Sequence, residues 1–226
     1  MGVVIVLLIG SITAVATAPP ITSIEQKYAH GELVLDVEQL DSAHQAFAII
    51  AQSDDRNGTP GPKIIPGSVS IVGDSVTLGA VDELSAQTDA SIDADTSRAM
   101  VNGIRIIKNM EQNLTLGETV VVALATNSHA DSYESAVTII NDLEPGHRIV
   151  FVTGYGDSSI SDLNLLLRTL SAQYPFVTIA DWEAAIQDKD SLLAADHMHM
   201  DAQEARNIYA QVIKTAIEEA KWKPTS

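Results

Sequence analysis

Residues 68–80 read SVSIVGDSVTLGA. The apolar run Val69–Val72 meets Gly73-Asp74-Ser75, and a second apolar stretch comes next. The run is too short and too continuous for an amphipathic helix, and it reads as a buried strand. Gly73 supplies the backbone freedom for a sharp turn at its end. Three more runs have this character, Val120–Leu124, Ile149–Thr153 and Phe176–Ala180, and a weaker one is Ser91–Ala94. Helical patterns lie between them. Residues 100–110 carry Ile104 and Ile107. Residues 132–143 carry Ala136, Ile139, Ile140 and Leu143. Residues 159–172 carry Ile160, Leu163, Leu166, Leu167 and Leu170. A last pattern over 202–220 places Ala205, Ile208, Tyr209, Val212, Ile213 and Ala216 on one stripe. Asp201 and Glu204 are the expected N-terminal cap of that helix. Strand and helix alternate about five times. The alternation predicts an α/β fold of three layers, α/β/α, around a parallel sheet of about five strands.

The chain has 226 residues, 30 acids, 13 Lys+Arg and no cysteine, for a net charge of −17. That length suits one domain with a short appendage, and its core needs no covalent staple. Without cysteine there is no disulfide, thiolate metal site or cysteine nucleophile. The acidity argues against a nucleic-acid partner, since phosphate binding needs clustered Lys and Arg. It fits an exported, soluble monomer and disfavours anionic lipid surfaces. Hydrophobic content of 46% with 19% charged residues excludes a largely disordered chain.

The opening, MGVVIVLLIGSITAVATAPP (1–20), carries no charge from Gly2 to Ala18. It is somewhat shorter than a full membrane span. It lacks the basic start of a signal peptide, although Ala16-Thr17-Ala18 resembles a cleavage site. The readings are a membrane anchor, a signal-like segment, the end of a transmembrane helix, or a buried element of the soluble part. Residues 21–66, rich in Pro and Gly from Ser53 onward, read as a linker with local helix. The globular domain is expected over 67–226.

In parallel sheets, sites form at the carboxyl ends of the strands. There the sequence places Gly73-Asp74-Ser75, Asp95 to Arg98, Thr126-Asn127-Ser128-His129, Asp181-Trp182 and then Asp196-His197-Met198-His199. Acyl chemistry needs a nucleophile, a base and donors for an oxyanion. Ser75 can be the nucleophile, and its own N–H can serve the oxyanion. His199 can be the base, and Asp196, three residues earlier, can orient the imidazole. Asn127 offers an amide donor. Each piece also has a plainer reading: Gly-Asp-Ser is common in turns, and Asn127 fits a helix cap.

These residues resemble the SGNH (GDSL-type) hydrolases. IVGDSVTLGA (71–80) looks like the first block, VVVALATNSHA (120–130) like the third, usually Gly-x-Asn, and DHMHM (196–200) like the fifth, Asp-x-x-His. Within that superfamily the chain resembles the extracytoplasmic SGNH domain joined to acyltransferase-3 membrane proteins, the peptidoglycan O-acetyltransferases. That likeness rests on SIDADTSRAM, RIVFVTGYGDSSISDLN and FVTIADWEAA, and it covers roughly residues 67–218. The resemblance implies a flavodoxin-like sheet, an acetyl ester on Ser75, and His199 with Asp196 as general acid–base pair. It implies an oxyanion hole of Ser75, Asn127 and Ser97, and no cofactor or metal. Its acceptor would be a cell-wall glycan. The acetyl donor would come from a membrane acyltransferase domain or a separate protein, on the extracytoplasmic side of a membrane or in secreted form. Two positions depart from the pattern. Ser97 stands near where the second block has Gly, and it can still present a backbone N–H. Ala125 stands where the third block has Gly, its methyl near the oxyanion hole, at a cost of order 1 kcal/mol if its backbone needs positive φ.

Other roles stay open. Arg98 can hold a substrate carboxylate or pair with an acid. His129 can touch substrate or cap the next helix. Trp182 can stack on a sugar or pack beneath the site. Asp74 fits a turn or a hydrogen bond within the site better than a catalytic role. Asp196, His197, His199 and Asp201 could hold zinc or manganese, although alternating positions point apart. An esterase acting on carbohydrate, or a degenerate module that binds glycan or a partner, would use the same fold.

Overall fold

Side-by-side parallel pairing of the apolar runs sets the architecture. The structure, a computed structural model, describes residues 65–129 and 132–224. The expected apolar segment 1–20, and the linker up to residue 64, lie outside the described residues. Among the described residues, no helix is long and apolar enough to cross a membrane.

Strands β1 (Ile65–Gly73), β2 (Ser91–Ala94), β3 (Gly117–Ala123), β4 (Arg148–Val152) and β5 (Val177–Ala180) form one sheet, ordered β2-β1-β3-β4-β5. Every pairing is parallel. β1 reaches two residues into the stretch read as linker. Ile65 pairs with Gly117, and the register shifts before Val69. The helices in chain order are α1 (Ser75–Gly79), α2 (Val81–Thr88), α3 (Met100–Gln112), α4 (Tyr133–Asp142), α5 (Ser158–Gln173), α6 (Trp182–Ile186) and α7 (Gln203–Glu219).

Side chains alternate along each strand between two cores. Ile71, Val121, Ala123, Val150 and Val152 face Val76 of α1, Leu84 of α2, Ile186 of α6 and Tyr209 of α7. Val72, Val120, Val122, Ile149 and Phe151 face Ile107 of α3, Ile139 of α4, and Leu163 and Leu167 of α5. Both sheet faces are covered, which is why these strands read as continuous apolar runs. α1, α2 and α6 were not legible in the sequence. α1 and α6 span five residues each, and α2 buries only Glu83 and Leu84.

The expected cap at Asp201 is corrected. Ala202 occupies the N-cap of α7 and makes no side-chain cap bond. Asp201 instead belongs to the preceding loop, where its N–H and that of Ala202 both donate to the Leu192 carbonyl. Arg206 of α7 donates to the Asp201 carbonyl and pairs with Glu83 of α2 at 3.1 Å. That pairing locks the segment before α7 against the α2 layer.

The central β1–β3 pair fits so closely that a Cβ on Gly117 would lie 2.8 Å from the Ser68 carbonyl oxygen and 2.9 Å from the Ser70 nitrogen. Both are backbone atoms, which cannot swing aside as a side chain would. Gly117→Ala should therefore lower stability by about 1–3 kcal/mol, read as a drop in the urea unfolding midpoint. An unchanged midpoint would show that β1 shifts freely at this point.

Candidate active site

β1 delivers the chain to the sheet rim and turns at Gly73. Asp74 caps α1 through its side chain, which accepts the Val76 N–H. Ser75 is thereby held as the first residue of α1. On the far side, the segment 193–200 folds back on itself. Leu193 pairs antiparallel with Met200, the Ala194 N–H donates to the His199 carbonyl at 2.8 Å, and the His197 N–H donates to the Ala194 carbonyl at 2.9 Å. The Asp196 carboxylate closes this loop by accepting the N–H groups of Met198 and His199, each at 3.0 Å.

The folded loop brings His199 to Ser75 across 124 positions of sequence, with Nε2 2.8 Å from the Ser75 Oγ. The other ring nitrogen, Nδ1, lies 2.7 Å from Asp196 Oδ2. Burial pushes the Asp196 carboxyl up, but the His199 ring and the two loop N–H groups outweigh it and hold the group below the usual carboxylate range. An ionised carboxylate only accepts, so Nδ1 of His199 carries the proton. Nε2 of the neutral ring is then the acceptor of the Ser75 hydroxyl. This chain of bonds can draw the proton from Ser75 Oγ and activate it as a nucleophile.

Asn127 comes after β3 on the same rim. Its Nδ2 is buried and has no hydrogen-bond partner among the described residues. A buried amide donor without a partner costs on the order of 1–3 kcal/mol. It is the kind of donor that an oxyanion would satisfy. Asn127 does not cap the next helix, because Ser132 is the N-cap of α4. The Asp74 carboxylate ties this loop to the nucleophile turn, with Oδ1 accepting the Val76 N–H at 3.0 Å and Oδ2 accepting the Thr126 N–H at 3.2 Å. Complete burial pushes the Asp74 carboxyl up to about 6 despite those bonds.

No family model matches the chain, and no curated protein matches it. Solved structures do. The C-terminal catalytic domain of Streptococcus pneumoniae peptidoglycan O-acetyltransferase A, solved with a methylsulfonyl adduct, is 27% identical with a TM-score of 0.64. The match covers 70% of this chain and 98% of that one. The chain is a member of the SGNH hydrolase superfamily. A carbohydrate esterase of family 3 from Talaromyces cellulolyticus shares the fold at 17% identity and a TM-score of 0.56, covering 68% of this chain and 99% of that one. A GDSL-like lipase from Bacteroides thetaiotaomicron does so at 14% identity and a TM-score of 0.57, covering 76% of this chain and 97% of that one. The protein is thus an SGNH-type enzyme, a serine acyltransferase or esterase.

The two SGNH departures resolve differently. Ser97 has φ 56, so a residue with a Cβ occupies the left-handed region, at a cost of about 1 kcal/mol. Ala125 is absent from the positive-φ positions, so its methyl carries no such strain. That methyl instead packs against Gly154, where an added Cβ would lie 3.3 Å from it.

The remaining expected residues scatter. Arg98 takes the ion-pair role through its Nη1. It pairs with the Asp93 carboxylate at 2.9 Å and donates to the carbonyls of Asp93 and Gly73 at 2.7 and 3.3 Å. All three contacts run through Nη1, and together they clamp the ends of β1 and β2. Trp182 corrects the sugar-stacking expectation. It is 1% exposed and meets Tyr209 edge-on at 5.1 Å, so it packs beneath the site. His129 does not cap α4 with its ring: the Ser132 N–H donates to its backbone carbonyl, and the exposed imidazole bonds Ser159 at 2.9 Å. His197 and His199 point to different partners, Asp190 and Ser75, so the metal reading loses its convergence.

Several supporting residues escaped the sequence reading. The Ser128 hydroxyl accepts the Met100 N–H at 2.7 Å and donates to the Leu124 carbonyl, joining α3 to the Asn127 loop. Asn164 is fully buried on α5 and makes reciprocal bonds to Gly154 at 2.9 and 2.8 Å. A polar residue on the apolar stripe of Ile160, Leu163 and Leu167 was the available signal.

Asp74 yields a pH prediction. Its folded-state value lies above that of the unfolded chain. The folded protein therefore keeps this proton between about pH 4 and pH 6, where the unfolded chain has lost it. Its contribution lowers stability as pH rises through that window, by about 3 kcal/mol in all. Asp74→Asn removes the titration. Its stability relative to wild type should climb between pH 4 and pH 7 in urea melts; parallel curves would refute the buried-carboxylate assignment.

Proposed function

We propose that this SGNH enzyme transfers an acetyl group to a cell-wall glycan through an acetyl ester on Ser75. The observation that carries the reading is the unbroken chain from Ser75 Oγ to His199 to Asp196, at 2.8 and 2.7 Å, beside the unpaired Asn127 amide. The likeness to a peptidoglycan O-acetyltransferase domain, at 27% identity, supports the choice of acyl group and acceptor.

In this reading Ser75 Oγ attacks the acetyl carbonyl while His199 Nε2 takes its proton. The oxyanion accepts hydrogen bonds from Asn127 Nδ2 and the backbone N–H groups of Ser75 and Ser97. Collapse expels the donor's leaving group, protonated by His199, and leaves acetyl-Ser75. A glycan hydroxyl, such as a muramoyl C6 hydroxyl, then gives its proton to His199 and attacks the ester. Ser75 leaves and recovers the proton. Asp196 stabilises the imidazolium formed in each half. The chemistry calls on no cofactor. The donor would be delivered by a membrane acyltransferase domain or a separate protein, with this domain on the extracytoplasmic face or secreted and acting as a monomer.

A second reading, a carbohydrate acetylesterase, has one observation in its favour. His199 is 22% and Asp196 51% exposed, so water can reach the acyl-enzyme as readily as a sugar hydroxyl.

The test uses the full chain, an activated acetyl ester and a chitooligosaccharide, with products weighed by mass spectrometry. Acetylated sugar from wild type and none from Ser75→Ala is the expected result. Acetate without acetylated sugar would move the assignment to the esterase, and equal background from both proteins would remove Ser75 as nucleophile. Asn127→Ala should lower kcat about 100-fold or more, the usual loss for one oxyanion donor. An unchanged kcat would exclude Asn127 from the hole.

A further inference from the structure

A second hydrogen-bonded chain stands on the same rim, outside the Ser75–His199–Asp196 set. Asp157 caps α5, accepting the Ser159 and Ile160 N–H groups at 2.9 and 3.3 Å. Its Oδ1 also lies 2.5 Å from the Ser159 Oγ, and that oxygen lies 2.9 Å from His129 Nδ1. The Ser159 hydroxyl and the two N–H groups hold the Asp157 carboxyl below its usual range, so it only accepts. Ser159 must therefore spend its single proton on Asp157. Its oxygen can then only accept from His129, which places a proton on Nδ1. In the neutral ring, Nε2 is left as a hydrogen-bond acceptor with no partner among the described residues.

Position gives this acceptor a use. His129 lies two residues after Asn127, and Ser159 belongs to the segment after β4. In that segment a Cβ on Gly156 would lie 3.3 Å from the Met198 Cε, so it abuts the loop carrying Asp196 and His199. The chain thus bridges the Asn127 loop to the wall beside the His199 loop. His129 and Asp157 are exposed and Ser159 is half-buried, a setting where such bonds add little to stability. What they do achieve is to fix the rotamer and tautomer of one imidazole in advance, which removes an ordering cost from binding.

We propose that His129 is a specificity-determining residue for the saccharide: its Nε2 accepts a hydrogen bond from a hydroxyl or acetamido N–H of the glycan whose other hydroxyl is acylated or deacylated at Ser75. This rests on the acyl-enzyme reading above but not on the direction of transfer.

The test compares wild type, His129→Ala, His129→Gln and Ser159→Ala. One substrate is 4-nitrophenyl acetate, which carries no sugar. The other is chitotetraose as acceptor, or acetylated chitotetraose where the enzyme runs as an esterase. His129→Ala should lower kcat/KM for the saccharide about 3- to 10-fold more than for 4-nitrophenyl acetate, the weight of one neutral hydrogen bond. The loss should lie in KM. His129→Gln, which can present an acceptor near the Nε2 position, should recover part of it. Ser159→Ala should fall between, since it frees the ring without removing it. Proportional losses on both substrates, no change on either, or wild type that neither turns over nor binds chitotetraose would each overturn the proposal. Failure of the acyl-enzyme reading has its own signature, 4-nitrophenyl acetate turnover that survives Ser75→Ala.

Discussion

One fully buried carboxylate holds the catalytic rim together. Asp74 sits between the turn that presents Ser75 and the loop that presents Asn127, and it accepts a backbone N–H from each side. Its own N–H donates to the Ala123 carbonyl at the end of β3. Nucleophile and amide donor come from strands that are neighbours in space and about fifty residues apart in sequence. Without a common acceptor their relative placement would depend on two independent loops. Burying that acceptor is costly, as the upward displacement of its pKa to about 6 shows. Tyr209 lies close by, with its hydroxyl 2.8 Å from Thr77 Oγ1. Burial first, and then the Asp74 charge, push the Tyr209 pKa up and keep that hydroxyl protonated.

This rim carries two of the left-handed residues and one buried donor without a partner among the described residues, as expected where a fold gives up local preference for chemistry. Ser97 and His197 both adopt left-handed backbone with φ 56. The second lies inside the triad loop, between Asp196 and His199, and its ring bonds Asp190 at 2.7 Å. That exposed contact anchors the turn at its most strained residue. Asn127 supplies the unmet donor. The core beneath shows the opposite character, with Trp182, Phe151 and Ile71 fully buried in apolar surroundings.

The parallel strands were legible because both their faces are covered, which forces apolar residues at every position of the runs around Val121 and Val150. Ser75, Asn127, Asp196 and His199 were legible because a parallel sheet gathers the loops after its strands along one edge. Arg98 and Trp182 occupy equivalent places on that edge, yet Trp182 is buried beneath the site and Arg98 pairs with Asp93 through Nη1. A guanidinium or an indole looks the same in sequence whether it faces solvent or core, so only its partners decide. Ser128, Asp157, Ser159 and Asn164 escaped notice for a related reason. Short polar side chains leave no periodic trace, and their value lies in which backbone group they meet.

Residue order alone determined the α/β class, the number of strands and the positions from which acyl chemistry could arise. These come from local pattern, from burial on two faces and from the chirality of parallel crossovers. Tertiary structure alone decided which of those residues meet. It closes the 124-residue separation between Ser75 and His199 to a hydrogen bond. It also turns Arg98 and Trp182 inward and leaves the Asn127 amide waiting. Hydrogen bonds act over about 3 Å, a distance set by packing between elements rather than by any spacing along the chain.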